Sequence, residues 1–142
     1  HVGVPSATAS LSHCPTHMAA SVSTHGRVGV DVESAPECLP RVAERYFEPA
    51  QLDWLRSVPA RSRTRAFRRL WTLGEALFKA GAPAGAAIVP IADNGTSERV
   101  RWAFFEPTPR LTIAWVLMAG ERAPVLPVTL ERLSDDWMEV HE

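Results

Sequence analysis

The sequence predicts an α+β domain, an antiparallel sheet packed on one long helix. Two observations carry that expectation. Strand-like runs stand at both ends of the chain with helical pattern between them, and residues 62–80 hold apolar side chains at helical spacing. The 142 residues, 46% of them hydrophobic, amount to one domain over 1–142 that can bury a core without disulfide or metal staples. His1 in place of a starting methionine is compatible with a processed chain, a tag remnant or a piece cut from a longer protein.

Residues 7–12, 18–23 and 27–33 alternate or run apolar between Pro, Thr, His and Gly punctuation, which reads as three strands in hairpin-like succession. Beyond Pro36 the pattern becomes helical. Residues 39–47 suit a short helix, Pro49 fits the first turn of a second one through Leu55, and Pro59 ends it. The principal helix follows, with Phe67, Leu70, Leu73, Leu77 and Ala80 recurring every three or four residues and Trp71 and Phe78 beside them as further core candidates. Ser62 is its expected cap, and Gly81 with Pro83 its stop signal. Residues 86–91, 100–106 and 111–118 read as strands, separated by a turn at Asp93-Asn94-Gly95 and a break at Pro107-Thr108-Pro109. A last strand is expected at 125–130.

A formal net charge of -1 gives no bulk electrostatic reason to expect nucleic acid or an anionic membrane as partner. The basic run Arg61, Arg63, Arg65, Arg68 and Arg69 reads equally as a solvated helix face or as a docking surface for an acidic protein. Cys14 and Cys38 form neither a CxxC motif nor a disulfide framework and read as free thiols in a reducing compartment. No long apolar run or signal-peptide pattern is present, so a cytoplasmic protein is expected. His17 and His25 lack zinc-site spacing.

Three acidic residues and one basic residue carry the chemistry. Asp31 and Glu33 stand two apart in a strand and project from one face, while Val30 and Val32 project from the other. Such a pair invites a cation, and magnesium is commonly held by one or two carboxylates completed by water and phosphate oxygens. The fifteen basic residues comprise fourteen arginines and a single lysine, Lys79, one helical turn after Glu75. An ordinary i,i+4 Glu/Lys pair stabilises a helix by about 0.2–0.5 kcal/mol. A lone lysine among arginines, by contrast, suggests a site that wants a compact ammonium rather than a planar fork. If the stripe of Glu75 and Lys79 packs against Asp31 and Glu33, three carboxylates and one ammonium surround a single point suited to a metal-bound pyrophosphate.

At these residues the chain resembles the 4'-phosphopantetheinyl transferases, whose pattern is a G-[IV]-D-x-E strand followed by a W-[ST]-x-K-E-x-x-x-K helix. Here the matches are Gly29-Val30-Asp31-Val32-Glu33 and Trp71-Thr72-Leu73-Gly74-Glu75 with Lys79. Ser10-Leu11-Ser12-His13 looks like the family's S-x-S-H strand end, and Arg45-Tyr46-Phe47 with Pro49 like its next element. Residues 86–133 look like its closing strands.

The resemblance implies transfer of 4'-phosphopantetheine from coenzyme A to a serine of an acyl or peptidyl carrier protein, with release of 3',5'-ADP. It implies that Asp31, Glu33 and Glu75 hold magnesium and that Glu75 also takes the serine proton. Lys79 would face the pyrophosphate, and His13 a coenzyme A phosphate. Two positions depart from the pattern: Gly74 stands where the family usually has lysine, and Val4 where it often has a basic residue. Both remove a cation from the substrate side, so the alternative is an impaired relative that binds coenzyme A or a carrier protein without transfer. Because many members consist of two similar halves and this chain has room for one, a homo-oligomer or a domain of a larger synthase is expected.

Overall fold

Period-two alternation at the start of the chain produces a hairpin whose outer face is open to solvent. In the computed structural model, which describes residues 6–34, 40–83, 86, 88–90, 92–97 and 99–119, β1 (Thr8–Cys14) pairs antiparallel with β2 (His17–Ser23). Leu11, Met18 and Val22 lie exposed on it. The third strand, β3 (Gly26–Ser34), does not continue this ladder. It pairs antiparallel with β6 (Leu111–Ala119) at the edge of a four-stranded sheet ordered β3-β6-β5-β4, with β5 spanning Val100–Thr108 and β4 Asn94–Ser97.

Serine hydroxyls join the two sheets. The Val30 and Val32 N–H groups donate to Ser10 Oγ at 3.0 Å and Ser12 Oγ at 3.3 Å, while the Thr8 hydroxyl donates to the Gly26 carbonyl at 2.7 Å. Side chains two apart on β1 thus satisfy backbone groups that a neighbouring strand would otherwise take.

Helices α1 (Pro40–Tyr46), α2 (Pro49–Ser57) and α3 (Ala60–Lys79) lie between β3 and β4 in the chain. Pro49 opens α2 as expected, and Gln51 accepts the Glu48 N–H at 3.0 Å. Ser62 is not the cap of α3. The helix begins two residues earlier behind Pro59, whose carbonyl accepts the Ser62 N–H, and Arg63 ties the corner by donating to the Arg56 and Val58 carbonyls. Its C-terminus ends as expected: Gly81 takes φ +69, its N–H bonds the Phe78 carbonyl and the Ala82 N–H bonds that of Leu77.

Two faces of α3 are apolar. One, Phe67 and Leu70, meets Ala43 and Leu55 of the short helices, while Leu73, Ala76, Leu77 and Ala80 meet Phe104, Ala114 and Val116 of the sheet. Of the expected core positions of α3, Phe67, Leu70, Leu73, Leu77 and Ala80 are buried, whereas Trp71 is half-buried and Phe78 is 79% exposed. Within the arginine run, Arg68 and Arg69 turn inward while Arg61, Arg63 and Arg65 stay exposed. Arg65 and Arg69 ion-pair with Glu106, Arg69 also reaches Asp93, and the buried Arg68 donates to Thr112 at 2.8 Å and to the Pro109 carbonyl at 2.7 Å. Burial alone would raise the Glu106 pKa, but the hydrogen bonds from Arg69 and Arg65 outweigh it and hold the group at about 2. These three arginines anchor the helix to β5 and β6; Arg68 and Arg69 are thereby withdrawn from solvent, whereas Arg65 remains more than half exposed.

Two further expectations differ. Asn94 and Gly95 lie in β4 rather than in a turn, because Gly95 pairs with Trp102 and its missing Cβ is the space the indole fills. The strand expected at 86–91 is absent over residues 86 and 88–90, where Pro90 is fully buried and the Ile88 carbonyl accepts from Gln51. Pro107 sits at an irregularity of the β5–β6 pairing, where a ladder N–H is dispensable. The strand expected at 125–130, Cys38 and Val4 lie outside the described residues, and Cys14 is a free, half-buried thiol.

Helix and sheet approach closely at Gly29. A Cβ there would collide with the Ala76 carbonyl oxygen and lie 2.7 Å from the Ala80 nitrogen, both immovable backbone, whereas a Cβ at Gly74 meets nothing within 4 Å. We therefore predict opposite effects of the same substitution in urea denaturation. Gly29→Ala should cost about 1–3 kcal/mol by forcing α3 off the sheet, and Gly74→Ala should add up to about 1 kcal/mol. A neutral Gly29→Ala would contradict this contact.

Candidate functional site

Contact at Gly29 aligns the C-terminal half of α3 with the side of β3 from which Gly29, Asp31 and Glu33 project. One turn of the helix then sets Glu75 and Lys79 over that face. Lys79 Nζ lies 2.6 Å from Asp31 Oδ1, with the lysine side chain 29% and the aspartate side chain 6% exposed. The same oxygen accepts the Ser12 hydroxyl at 2.8 Å. Oδ2 of Asp31 is buried and has no hydrogen-bond partner among the described residues.

Glu33 completes the strand pair. Its pKa is raised, first by burial and then by the negative charge of Asp31, with Glu75 adding to the effect. A hydrogen bond from the Trp71 indole and the charge of Lys79 oppose this and fall short. Glu33, Asp31, Glu75 and Lys79 are therefore close enough to interact electrostatically, as the sequence pattern requires. His13 stands apart: it lies exposed near the end of β1, on the outer hairpin face with Leu11 and Met18.

Beside Glu75 an open groove of about 250 Å³ runs between the α1–α2 corner and α3, lined by Tyr46, Phe47, Trp71, Leu77 and Phe78. Tyr46 meets Trp71 edge-on, 5.6 Å between ring centres, so Trp71 both walls the groove and bonds Glu33. Gly74 and Glu75 share its rim.

No group of three or more His, Cys, Asp or Glu side chains among the described residues forms a ready-made metal site. The donor set nevertheless suits a hard divalent cation that keeps water and phosphate ligands: a buried carboxylate oxygen on Asp31 with no partner among the described residues, and a Glu33 whose ionisation is opposed first by burial and then by the charge of Asp31. Two residues escaped the sequence reading as supports. Ser12 engages Asp31, and Trp71 engages Glu33; the period-two serines of β1 were the available signal for the first.

Comparison with known proteins bears on the same residues. The family model described as the 4'-phosphopantetheinyl transferase superfamily matches residues 27–112, from β3 through α3 into β6. Among curated proteins the chain is similar to 4'-phosphopantetheinyl transferase gsp of Aneurinibacillus migulanus, 33% identical over 70 residues, which are 49% of this chain and 29% of that protein. It is similar also to 4'-phosphopantetheinyl transferase HetI of Nostoc sp., 33% identical over 72 residues, 49% of this chain and 30% of that one. The matched stretch spans less than a third of either relative.

The raised pKa of Glu33 has a sign that stability measurements can read. Its folded form holds a proton more firmly than the unfolded chain, so ionisation destabilises the fold once pH exceeds the folded pKa, and the penalty vanishes below the unfolded value of 4.5. Glu33→Gln should therefore raise the denaturation midpoint at neutral pH in the absence of divalent cations, and the gain should disappear as pH falls below that value. A gain that grows on acidification would contradict the assignment.

Proposed function

Because the chain belongs to the 4'-phosphopantetheinyl transferase superfamily, we propose that it transfers 4'-phosphopantetheine from coenzyme A to a serine hydroxyl of an acyl or peptidyl carrier protein. The observation that carries this reading is the convergence of Asp31, Glu33, Glu75 and Lys79 on one face of β3 and α3. In the reaction the serine oxygen bonds to the β-phosphorus of coenzyme A, the bond from that phosphorus to the bridging oxygen breaks, and 3',5'-ADP leaves. The serine proton passes to Glu75, which faces the open groove and is the carboxylate a substrate chain can reach.

Asp31, Glu33 and Glu75 would hold magnesium. When bound, the metal neutralises charge on the pyrophosphate oxygens. Lys79 supplies the one ammonium at the site, and its contact with Asp31 keeps it directed there. Burial of Asp31 excludes water from the carboxylate, which strengthens each interaction. His13, exposed on β1, is left to meet a phosphate at the far end of coenzyme A.

Assembly follows from the same reading. The exposed apolar side chains Leu11, Met18 and Val22 on the hairpin offer a surface for a second copy or for another domain of a larger synthase, which would complete the coenzyme A site beside His13. A cytoplasmic location accords with the chemistry, and no helix among the described residues is long and apolar enough to cross a membrane.

Mass spectrometry of a carrier protein incubated with the chain, coenzyme A and magnesium tests the proposal. The expected result is addition of one phosphopantetheinyl group. Glu75→Ala should slow transfer by roughly 10²–10⁴, Asp31→Ala should abolish it, and Lys79→Arg should impair it because a guanidinium is longer and planar. Binding of coenzyme A without modification of any carrier protein would instead identify an impaired relative, the outcome toward which Gly74 leans.

A further inference from the structure

We propose that Ser12 is the positioning residue that decides which oxygen of Asp31 meets a divalent cation, and that it thereby favours magnesium over calcium; this rests on Asp31 serving as a cation ligand. β1 sends two serines to the edge of β3, and both accept a backbone N–H, Ser10 from Val30 and Ser12 from Val32. Only Ser12 does more. With its lone pair engaged by Val32, its proton is directed 2.8 Å to Asp31 Oδ1. Ser12 is 8% and Asp31 5% exposed, so water does not compete for that contact.

Lys79 Nζ donates to the same oxygen. Oδ1 therefore carries two internal donors, while the buried Oδ2 carries none among the described residues. A carboxylate held this way coordinates through one oxygen. Magnesium takes single oxygens in a tight octahedron, whereas calcium accommodates six to eight ligands and often takes both oxygens of a carboxylate. Fixing the rotamer beforehand also spares the site the cost of ordering it, as partners behind a ligand generally do.

Ser10 supplies the control. Calorimetric titration of MgCl2 and of CaCl2, each with coenzyme A present, is compared for the unmutated chain, Ser10→Ala, Ser12→Ala and Ser12→Cys. Ser10→Ala loses the equivalent backbone link without touching Asp31, and its magnesium affinity should stay unchanged. Ser12→Ala should bind magnesium roughly 10–100-fold more weakly and lose part of the preference over calcium. Ser12→Cys, whose thiol fills the same space but donates weakly, should fall the same way and decides the matter if Ser12→Ala does not fold. Equal magnesium affinities for the Ser10 and Ser12 variants would overturn the positioning role alone. Failure of the unmutated chain to bind magnesium would overturn the cation site itself and this role with it.

Discussion

The backbone contact between α3 and β3 at Gly29 is the constraint on which the rest of the site depends. Any side chain at that position would hold the helix away from the sheet, since the Ala76 carbonyl and the Ala80 nitrogen already occupy the space. With the helix this close, Ala76 and Ala80 bury fully against β6 and β5, and the residues that precede each of them, Glu75 and Lys79, are presented to the strand carboxylates. The small residues of the helix and the glycine of the strand thus serve one purpose. They bring together side chains that are more than forty residues apart in sequence.

Electrostatics at the two ends of α3 are opposite in kind. At the N-terminal end Glu106 is matched by Arg65 and Arg69, and its depressed pKa records a satisfied network that stabilises the fold. At the C-terminal end carboxylates outnumber the single lysine, and the raised pKa of Glu33 records its burial first and the uncompensated charge of Asp31 second. Breaking a buried pair by removing one partner typically costs 3–5 kcal/mol, whereas an uncompensated cluster is a standing cost that a bound cation can offset. One helix is therefore anchored at one end and held ready for a ligand at the other.

Much of this was legible in the sequence because it rests on local periodicity. The long helix, its glycine stop, the first three strands and the facing of Asp31 and Glu33 follow from spacings of two and of three to four residues. What escaped depends on partners distant in the chain. The turn chemistry of Asn94-Gly95 was overridden by the indole of Trp102 across the strand. Pairing of β3 with β6 rather than with β2 is a choice between similar strands that no local signal makes. The cap expected at Ser62 yielded to Pro59 because Arg63 fastens the preceding corner. Ser12 looked like part of a strand end, and its contact with Asp31 exists only once the hairpin lies along β3.

A double-mutant cycle between Asp31 and Lys79 tests most directly whether the Gly29 contact assembles the site. Stabilities of the unmutated chain, Asp31→Asn, Lys79→Met and the double variant give the coupling energy, which is about 0.5–3 kcal/mol for residues in direct contact. The close approach predicts a coupling in that range, and predicts that it vanishes when the cycle is repeated with Gly29→Ala. A coupling near zero in the unmutated background, or one that survives intact beside Gly29→Ala, would contradict it.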